Sequence, residues 1–279
     1  MAEITAATVG KLREMTNAGL MNCKKALTEA KGDLDLAVDI LRKKGEATAA
    51  VKASREANEG LIAQYIQPGA RVGVLVEINC ETDFVARNES FRAFCEEVAR
   101  TLAANSASDL ESLRTAQVAK LGENIKISRH HRMDVSGHGM VAAYIHTGAK
   151  VGVLVEVGAG KEATVTNDEF KQLVRDITLQ IAAAHPKWVS RDQVNPGILA
   201  KEKEIAADQV KNKPPQAVVK IVEGKLEKFF QGHCLLDQGF VKKNSEVTMK
   251  EHAASVAKQL GDEITVRRFV RFQVGESQA

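Results

Sequence analysis

Three places in this chain have residue types and spacings that could do chemistry: a glycine-flanked lysine, a cluster of histidines, and a carboxylate beside an aromatic ring. Gly158-Ala159-Gly160-Lys161 faintly resembles a phosphate loop. Lys161, however, is followed by Glu162, and no glycine stands five residues before Gly160, so the backbone cradle and the magnesium hydroxyl of such a loop are missing. His130, His131 and His138 lie close together, but adjacent histidines on a strand point to opposite faces and read as a solvated strand end. His185-Pro186-Lys187-Trp188 reads as a helix end followed by a turn. Gly-x-Ser-x-Gly and His-Glu-x-x-His are absent from the sequence, and no pair of acids stands in a setting that suggests catalysis. The residues argue for a non-enzyme with no catalytic residue, no metal site and no cofactor of its own.

The third place reads differently. Asn79-Cys80-Glu81-Thr82-Asp83-Phe84-Val85-Ala86-Arg87-Asn88 follows the apolar run Val72–Ile78 and precedes an amphipathic pattern, so it is expected to be a strand-to-helix loop. It sets a large ring next to an acid in a solvated connection. The plain alternative is that Phe84 folds back as a core anchor and Asp83 caps a helix. An internal repeat argues against it. Gly60–Ile78 aligns without gaps on Gly139–Val157, an offset of 79 residues, with 12 of 19 positions identical. Beyond the loop, Phe91, Phe94, Cys95, Val98 and Leu102 map onto Phe170, Leu173, Val174, Ile177 and Ile181, both at the spacing of one buried helix face. Thr82-Asp83-Phe84 maps onto Lys161-Glu162-Ala163. A ring needed merely to fold the unit would be needed twice, so Phe84 is read as a contact residue.

The elements that must position this loop follow from the whole chain. At 279 residues, 44% hydrophobic and 27% charged, the sequence can bury a sizeable core in two or three domains. Its net charge of +3 is too weak a bias to indicate a specific nucleic-acid partner. No signal core and no run of eighteen apolar residues is present, so a cytoplasmic protein without a membrane segment is expected. Four scattered cysteines form no Cys-x-x-Cys pair and read as reduced thiols.

Residues 1–45 predict three short helices. Thr5 caps the first, Asn17-Ala18-Gly19 breaks it, Asn22 caps the second, and Asp33 caps a third that ends near Gly45. Leu20 and Met21 are left over as mini-core residues or an exposed apolar docking knob. Residues 46–59 read as a helical or flexible connector. Each repeat unit then predicts a hairpin, a loop, two helices and a closing strand. Asn124 to Asp134 predicts the closing strand of the first unit, and the segment around it, Gly122–Val135, resembles Gly261–Val274 at an offset of 139, so the second unit carries 60 extra residues. Within these, Pro196 to about Lys211 and Ala217 to about Phe230 predict an antiparallel helical hairpin turned at Lys213-Pro214-Pro215. Two helices cannot bury both apolar sides alone, so a covering surface is expected from this chain, a second copy (a homodimer) or another protein. The fold class is α+β: a three-helix domain (1–54), a first core unit (55–137), and a second core unit (138–190 and 232–279) interrupted by the hairpin (191–231).

Leu12-Arg13-Glu14-Met15-Thr16-Asn17-Ala18-Gly19-Leu20-Met21-Asn22-Cys23-Lys24-Lys25-Ala26-Leu27, together with Asn79-Cys80-Glu81-Thr82-Asp83-Phe84-Val85, resembles the bacterial elongation factor Ts family over nearly the whole chain. That resemblance implies a translation factor that exchanges guanine nucleotide on elongation factor Tu, in its GDP-bound and nucleotide-free forms, displacing GDP and Mg2+ indirectly. It implies a ubiquitin-associated-like first domain docking through Arg13, Leu20 and Met21, and a coiled-coil hairpin. It further implies a Thr82-Asp83-Phe84-Val85 loop entering near the partner's magnesium site, and a contact of His146 with the partner's far domain. Gly10, where some members carry a basic contact, and Thr147, which looks like an extra residue after His146, depart from the family pattern. Two other classes fit parts of the chain. An adaptor for a ubiquitin-like or ribosomal surface would need only residues 1–45, and an RNA chaperone would show steeply salt-dependent binding.

Overall fold

The computed structural model describes residues 4–16, 18–105 and 107–276. Three helices open the chain: α1 (Ala6–Thr16), α2 (Leu20–Glu29) and α3 (Leu34–Lys52). Val9, Leu12, Cys23, Ala26, Leu27 and Ala37 meet in their small core. Thr5 caps α1 through a hydroxyl that accepts from the Thr8 N–H at 3.2 Å, and Asp33 caps α3 by accepting from the Leu36 N–H. Asn17 lies outside the described residues. Two expectations fail here. Helix α2 starts at Leu20 with Gly19 as its N-cap, so Asn22 sits inside the first turn and caps nothing. Helix α3 does not stop at Gly45 but runs seven residues further and absorbs half of the expected connector. Gly45 is buried, and a Cβ built there meets Thr115 and Ala119 at 3.5–3.6 Å. Close packing on a neighbouring helix offsets glycine's cost of about 1 kcal/mol in a helix.

The repeat units follow. The first contains β1 (Glu59–Ile66), β2 (Val72–Cys80), α4 (Asp83–Arg87), α5 (Glu89–Ala104), α6 (Glu111–Leu121) and β3 (Lys126–Asp134). The second contains β4 (Gly139–Ile145), β5 (Val151–Ala159), α7 (Glu162–Thr166), α8 (Asp168–Ala184), the hairpin α9 (Pro196–Asp208) and α10 (Pro215–His233), α11 (Met249–Leu260) and β6 (Ile264–Gln273). Each unit is a three-stranded antiparallel sheet with the long middle strand flanked by its two partners. Asn79-to-Asn88 is therefore not one loop. The strand runs to Cys80 and a short helix starts at Asp83, leaving only Glu81 and Thr82 between them.

Both middle strands are buried on both faces, which explains their unbroken apolar runs. One face of the first sheet packs on α5 through Val74, Val76, Ile78, Phe91 and Val98. One face of the second packs on α8 through Val153, Val155, Phe170 and Ile177. The remaining faces pack on each other through Ile62, Leu75, Met133, Val141, Leu154 and Phe272. The resulting order is helix, sheet, sheet, helix, and the inner contact is reciprocal. The Ile62 N–H donates to the Ala149 carbonyl at 2.8 Å, and Val141, its repeat equivalent, donates to Ala70 at 2.8 Å. Gly73 lies against Val141, and Gly152 lies against Ile62; a Cβ at either would come within 2.5–2.6 Å of that side chain. The sheets approach this closely because both strands carry glycine at the crossing.

Glu77 and Glu156, 3% and 2% exposed, occupy equivalent positions beside the same irregularity in each ladder. Glu77 accepts from Arg129 Nε at 2.7 Å, while Glu156 accepts from Arg267 at 2.9 Å and Arg268 at 2.7 Å. Burial works against ionisation of Glu156, but the hydrogen bonds from Arg267 and Arg268 outweigh it and hold its pKa below the usual carboxylate range.

The hairpin α9–α10 projects from the second unit. Ala206 is its one fully buried described residue, and Ile198, Ile205 and Val219 are exposed. Its base is tied down by Arg191, which binds Glu227 and Asp237 and stacks on Phe230.

Gly152→Val should destabilise the protein by about 1–3 kcal/mol in urea unfolding by overpacking the sheet contact. Gly224→Ala, with nothing within 4 Å of the new methyl, should be neutral or stabilising. A group with a depressed folded pKa stabilises above its unfolded pKa and loses that contribution as pH falls. Thermal stability should therefore hold above about pH 5 and drop below about pH 4. Glu156→Gln should be less stable at pH 7 and lose less on acidification.

Candidate functional site

The turn at Glu81-Thr82 is built from the residues outward. Thr82 is the N-cap of α4, its hydroxyl accepting from the Val85 N–H at 3.3 Å. Glu123, just before β3, holds the turn from the other side: its carboxylate accepts from the Glu81 and Thr82 N–H groups at 3.0 Å each and from the Thr82 hydroxyl at 2.6 Å. Glu81 reciprocates by accepting from the Asn124 N–H at 2.6 Å. That backbone hydrogen bond, with help from Arg55, lowers the Glu81 pKa and keeps the acid ionised. Cys80 closes the floor, donating to the Thr82 carbonyl at 3.2 Å; burial pushes its thiol up to about 12, so it stays protonated. All four cysteines are free and buried.

On this braced base Val85 and Ala86 face the core, and Asp83 pairs with Arg87 at 2.9 Å along the helix. Phe84 points the other way and is 82% exposed. The core-anchor alternative is excluded by that exposure. Asp83 is the first residue of α4, not its cap.

The second unit repeats the scaffold without the ring. Asp262, equivalent to Glu123 at the 139-residue offset, accepts from the Lys161 N–H at 3.0 Å and from the Thr164 hydroxyl at 2.5 Å. Ala163 stands where Phe84 does. Lys161 Nζ donates to the Gly261 carbonyl at 2.8 Å, so the phosphate-loop lysine is engaged in closing this turn. Glu123 was missed by sequence reasoning, although the Glu123/Asp262 correspondence was available in the offset.

The other expected contact residues lie on separate elements. Arg13 is exposed on α1; Leu20 and Met21, 53% and 62% exposed, start α2, and Met15 on α1 and Leu36 on α3 are exposed as well. The mini-core alternative for Leu20 and Met21 thus fails. His146 begins the β4–β5 turn, and Tyr144 Oη lies 2.9 Å from its Nδ1. Thr147 is no insertion relative to the first unit. The bonds His146 N–H to Val151 and Ala149 N–H to His146 reproduce those of Gln67–Val72, and Ala149 and Ala70 share a positive φ of 52–55°. His130 is exposed while His131 is half-buried, as opposite strand faces require. Among the described residues, no group of three or more His, Cys, Asp or Glu is placed to hold a metal, and no helix is long and apolar enough to cross a membrane.

A family model described as elongation factor TS matches residues 81–276. Similar proteins include elongation factor Ts of Symbiobacterium thermophilum, 45% identical over 99% of this chain and 93% of the relative. That of Nostoc punctiforme is 43% identical over 99% and 94%, and that of Nitratidesulfovibrio vulgaris 42% over 99% and 97%. The chain belongs to the elongation factor Ts family. It is accordingly a translation elongation factor of protein biosynthesis. As an elongation factor Ts it presents three exposed groups: Leu20 and Met21 at the start of α2, Phe84 on its braced helix, and the His146 turn. The cleft of about 810 Å³ beside His146 is not lined by residues 82–85 or by Leu20 and Met21.

Phe84→Ala should leave thermal stability unchanged within about 0.5 kcal/mol, because the ring touches little in the free protein. Glu123→Gln should lower it by about 1–3 kcal/mol by weakening three charge-assisted bonds at once. Differential scanning fluorimetry distinguishes the two.

Proposed function

We propose that the protein binds elongation factor Tu, GDP-bound and nucleotide-free, and promotes GDP release by pressing the Thr82–Val85 turn against the partner near its Mg2+ and phosphates, so that GTP can rebind. The observation that carries this reading is the exposed Phe84 on a rigid, triply braced turn whose twin carries alanine. Magnesium bridges and neutralises nucleotide phosphates, so displacing its shell weakens GDP binding. Burying one Phe side chain in the partner supplies about 1.5–3 kcal/mol toward holding the displaced state. A stiff turn delivers that energy to the partner instead of losing it in its own rearrangement. Nucleotide and exchange factor then oppose each other through one coupling free energy, equal in both directions. No covalent bond is made or broken by Asp83 or Phe84.

Under this reading, residues 1–54 are a ubiquitin-associated-type docking domain in which Arg13, Leu20 and Met21 meet the partner's nucleotide-binding domain. Residues 55–137, and 138–190 with 232–279, are the two core units, with His146 reaching the partner's far domain. Residues 191–231 are a coiled-coil hairpin. The setting is the cytoplasm.

Release of fluorescent GDP from elongation factor Tu tests this. Wild type should accelerate release strongly. Phe84→Ala and Asp83→Ala should cut the acceleration by about tenfold or more while binding persists, as expected for loss of about 1.4 kcal/mol or more. No acceleration by folded wild type refutes the exchange reading, and acceleration untouched by both substitutions moves the mechanism off this turn.

A further inference from the structure

The two repeat units differ at a second position, an arginine of the closing strand. Arg132 in β3 corresponds to Arg271 in β6. Arg132 is fully engaged: Nε and Nη2 grip Asp134 at 2.9 and 2.8 Å, and Nη1 donates to the Leu102 and Ala103 carbonyls at the end of α5. In the second unit Asp134 is replaced by Gln273. Arg271 Nη2 donates to Gln273 Oε1 at 3.0 Å and to His185 Nε2 at 2.8 Å, both neutral acceptors, since an imidazole nitrogen accepting from guanidinium carries no proton. Its Nε is buried and has no hydrogen-bond partner among the described residues. The two arginines shift in opposite directions: the hydrogen bonds that Arg132 donates to Asp134 raise its pKa, whereas burial lowers that of Arg271.

This under-satisfied cation lines the cleft of about 810 Å³ that His146 also lines. The cleft walls carry Lys150, Lys242 and Arg271 against a single carboxylate, Glu59, which is paired with Lys150. Lys242 is held by Asp176 at 2.6 Å, and the nearby Glu276 reaches Arg129 at 3.8 Å. Among the described residues, Arg271 is thus the lysine or arginine of the cleft whose hydrogen bonds reach no carboxylate. Tyr144, Leu179, Ala182 and Val241 supply apolar wall, and the volume suits a side-chain-bearing loop better than a lone ion.

We infer that this cleft is a carboxylate-receiving site in which Arg271, with His185 as its positioning partner, takes an acidic side chain of elongation factor Tu. The inference rests on the proposed partner and is continuous with the His146 contact. The first unit supplies this arginine's anion in cis; the second leaves the place for one supplied in trans. Charge-assisted, two-point arginine–carboxylate geometry gives such a contact both affinity and register.

Gln273→Asp tests it by restoring the arrangement of the first unit, with no cavity and no lost partner. Its melting temperature should hold or rise, while the Kd for elongation factor Tu rises about tenfold or more and its salt dependence flattens. The GDP release rate at saturation should stay at the wild-type value. Gln273→Asn should bind as wild type, and Arg271→Met should lose as much affinity as Gln273→Asp. Changing acidic surface residues of the partner one at a time to their amides should reveal one that weakens wild type equally and leaves Arg271→Met unaffected. Gln273→Asp and Arg271→Met that bind like wild type at every salt concentration overturn the site while leaving the exchange function standing. Inorganic phosphate that binds wild type alone and is lost in Gln273→Asp, with partner affinity unchanged, also overturns it in favour of a free-anion site. A wild type that neither binds nor accelerates release defeats the exchange reading and this inference with it.

Discussion

Two antiparallel sheets of three strands pressed face to face at Gly73 and Gly152 are the constraint on which the rest of this molecule depends. Neither sheet can spare the other. Leu75, Met133, Leu154 and Phe272 would be solvent-exposed in a single unit, and the β1 and β4 N–H groups of Ile62 and Val141 donate across the contact. The arrangement has the logic of an isologous dimer enclosed in one chain, with each residue's contact returned by its repeat equivalent. Glycine at the crossing permits an approach that any side chain would block, and the apolar faces make that approach favourable.

Symmetry of the scaffold is what makes its asymmetries informative. Both units hold the turn after the middle strand by a carboxylate from the start of the closing strand, Glu123 or Asp262. Both bury a carboxylate beside the same ladder irregularity and pair it with the equivalent arginine, Arg129 or Arg268. Against that background, Phe84 and Arg271 stand out because the fold does not require them in the state it leaves them. One is an exposed ring and the other a half-buried arginine whose buried Nε has no hydrogen-bond partner among the described residues. Groups left unsatisfied by an otherwise well-satisfied structure are where binding energy remains to be gained.

The three-helix module follows a different rule. Its core of mostly small residues is slight, so α3 extends past Gly45 and packs on α6, adding burial the module lacks by itself. The exposed Leu20 and Met21 lie at the start of α2, away from the end of α3 that makes this contact. The hairpin is anchored instead by a charged and aromatic base at Arg191, Glu227 and Phe230, and its flanks stay open.

The sequence by itself determined the repeat, the strands and principal helices, the inserted hairpin and the exposed ring. These depend on period-2 and helical apolar spacing and on internal identity, which are local or read by alignment of the chain on itself. It left undecided, or led astray on, whatever is settled by groups distant along the chain. Gly45 reads as a helix end until Thr115 and Ala119 are seen against it. Asn22 reads as a cap although Gly19 already starts the helix. Thr82-Asp83-Phe84 reads as loop until Glu123, 41 residues away, is seen to brace Thr82 as the cap of a short helix. Arg271 reads as one more strand arginine, because its missing carboxylate becomes visible only when His185, Gln273 and the cleft wall are brought around it. Tertiary structure alone decides such features, since a hydrogen bond or a close approach depends on where the partner lies in space and not on its distance along the chain.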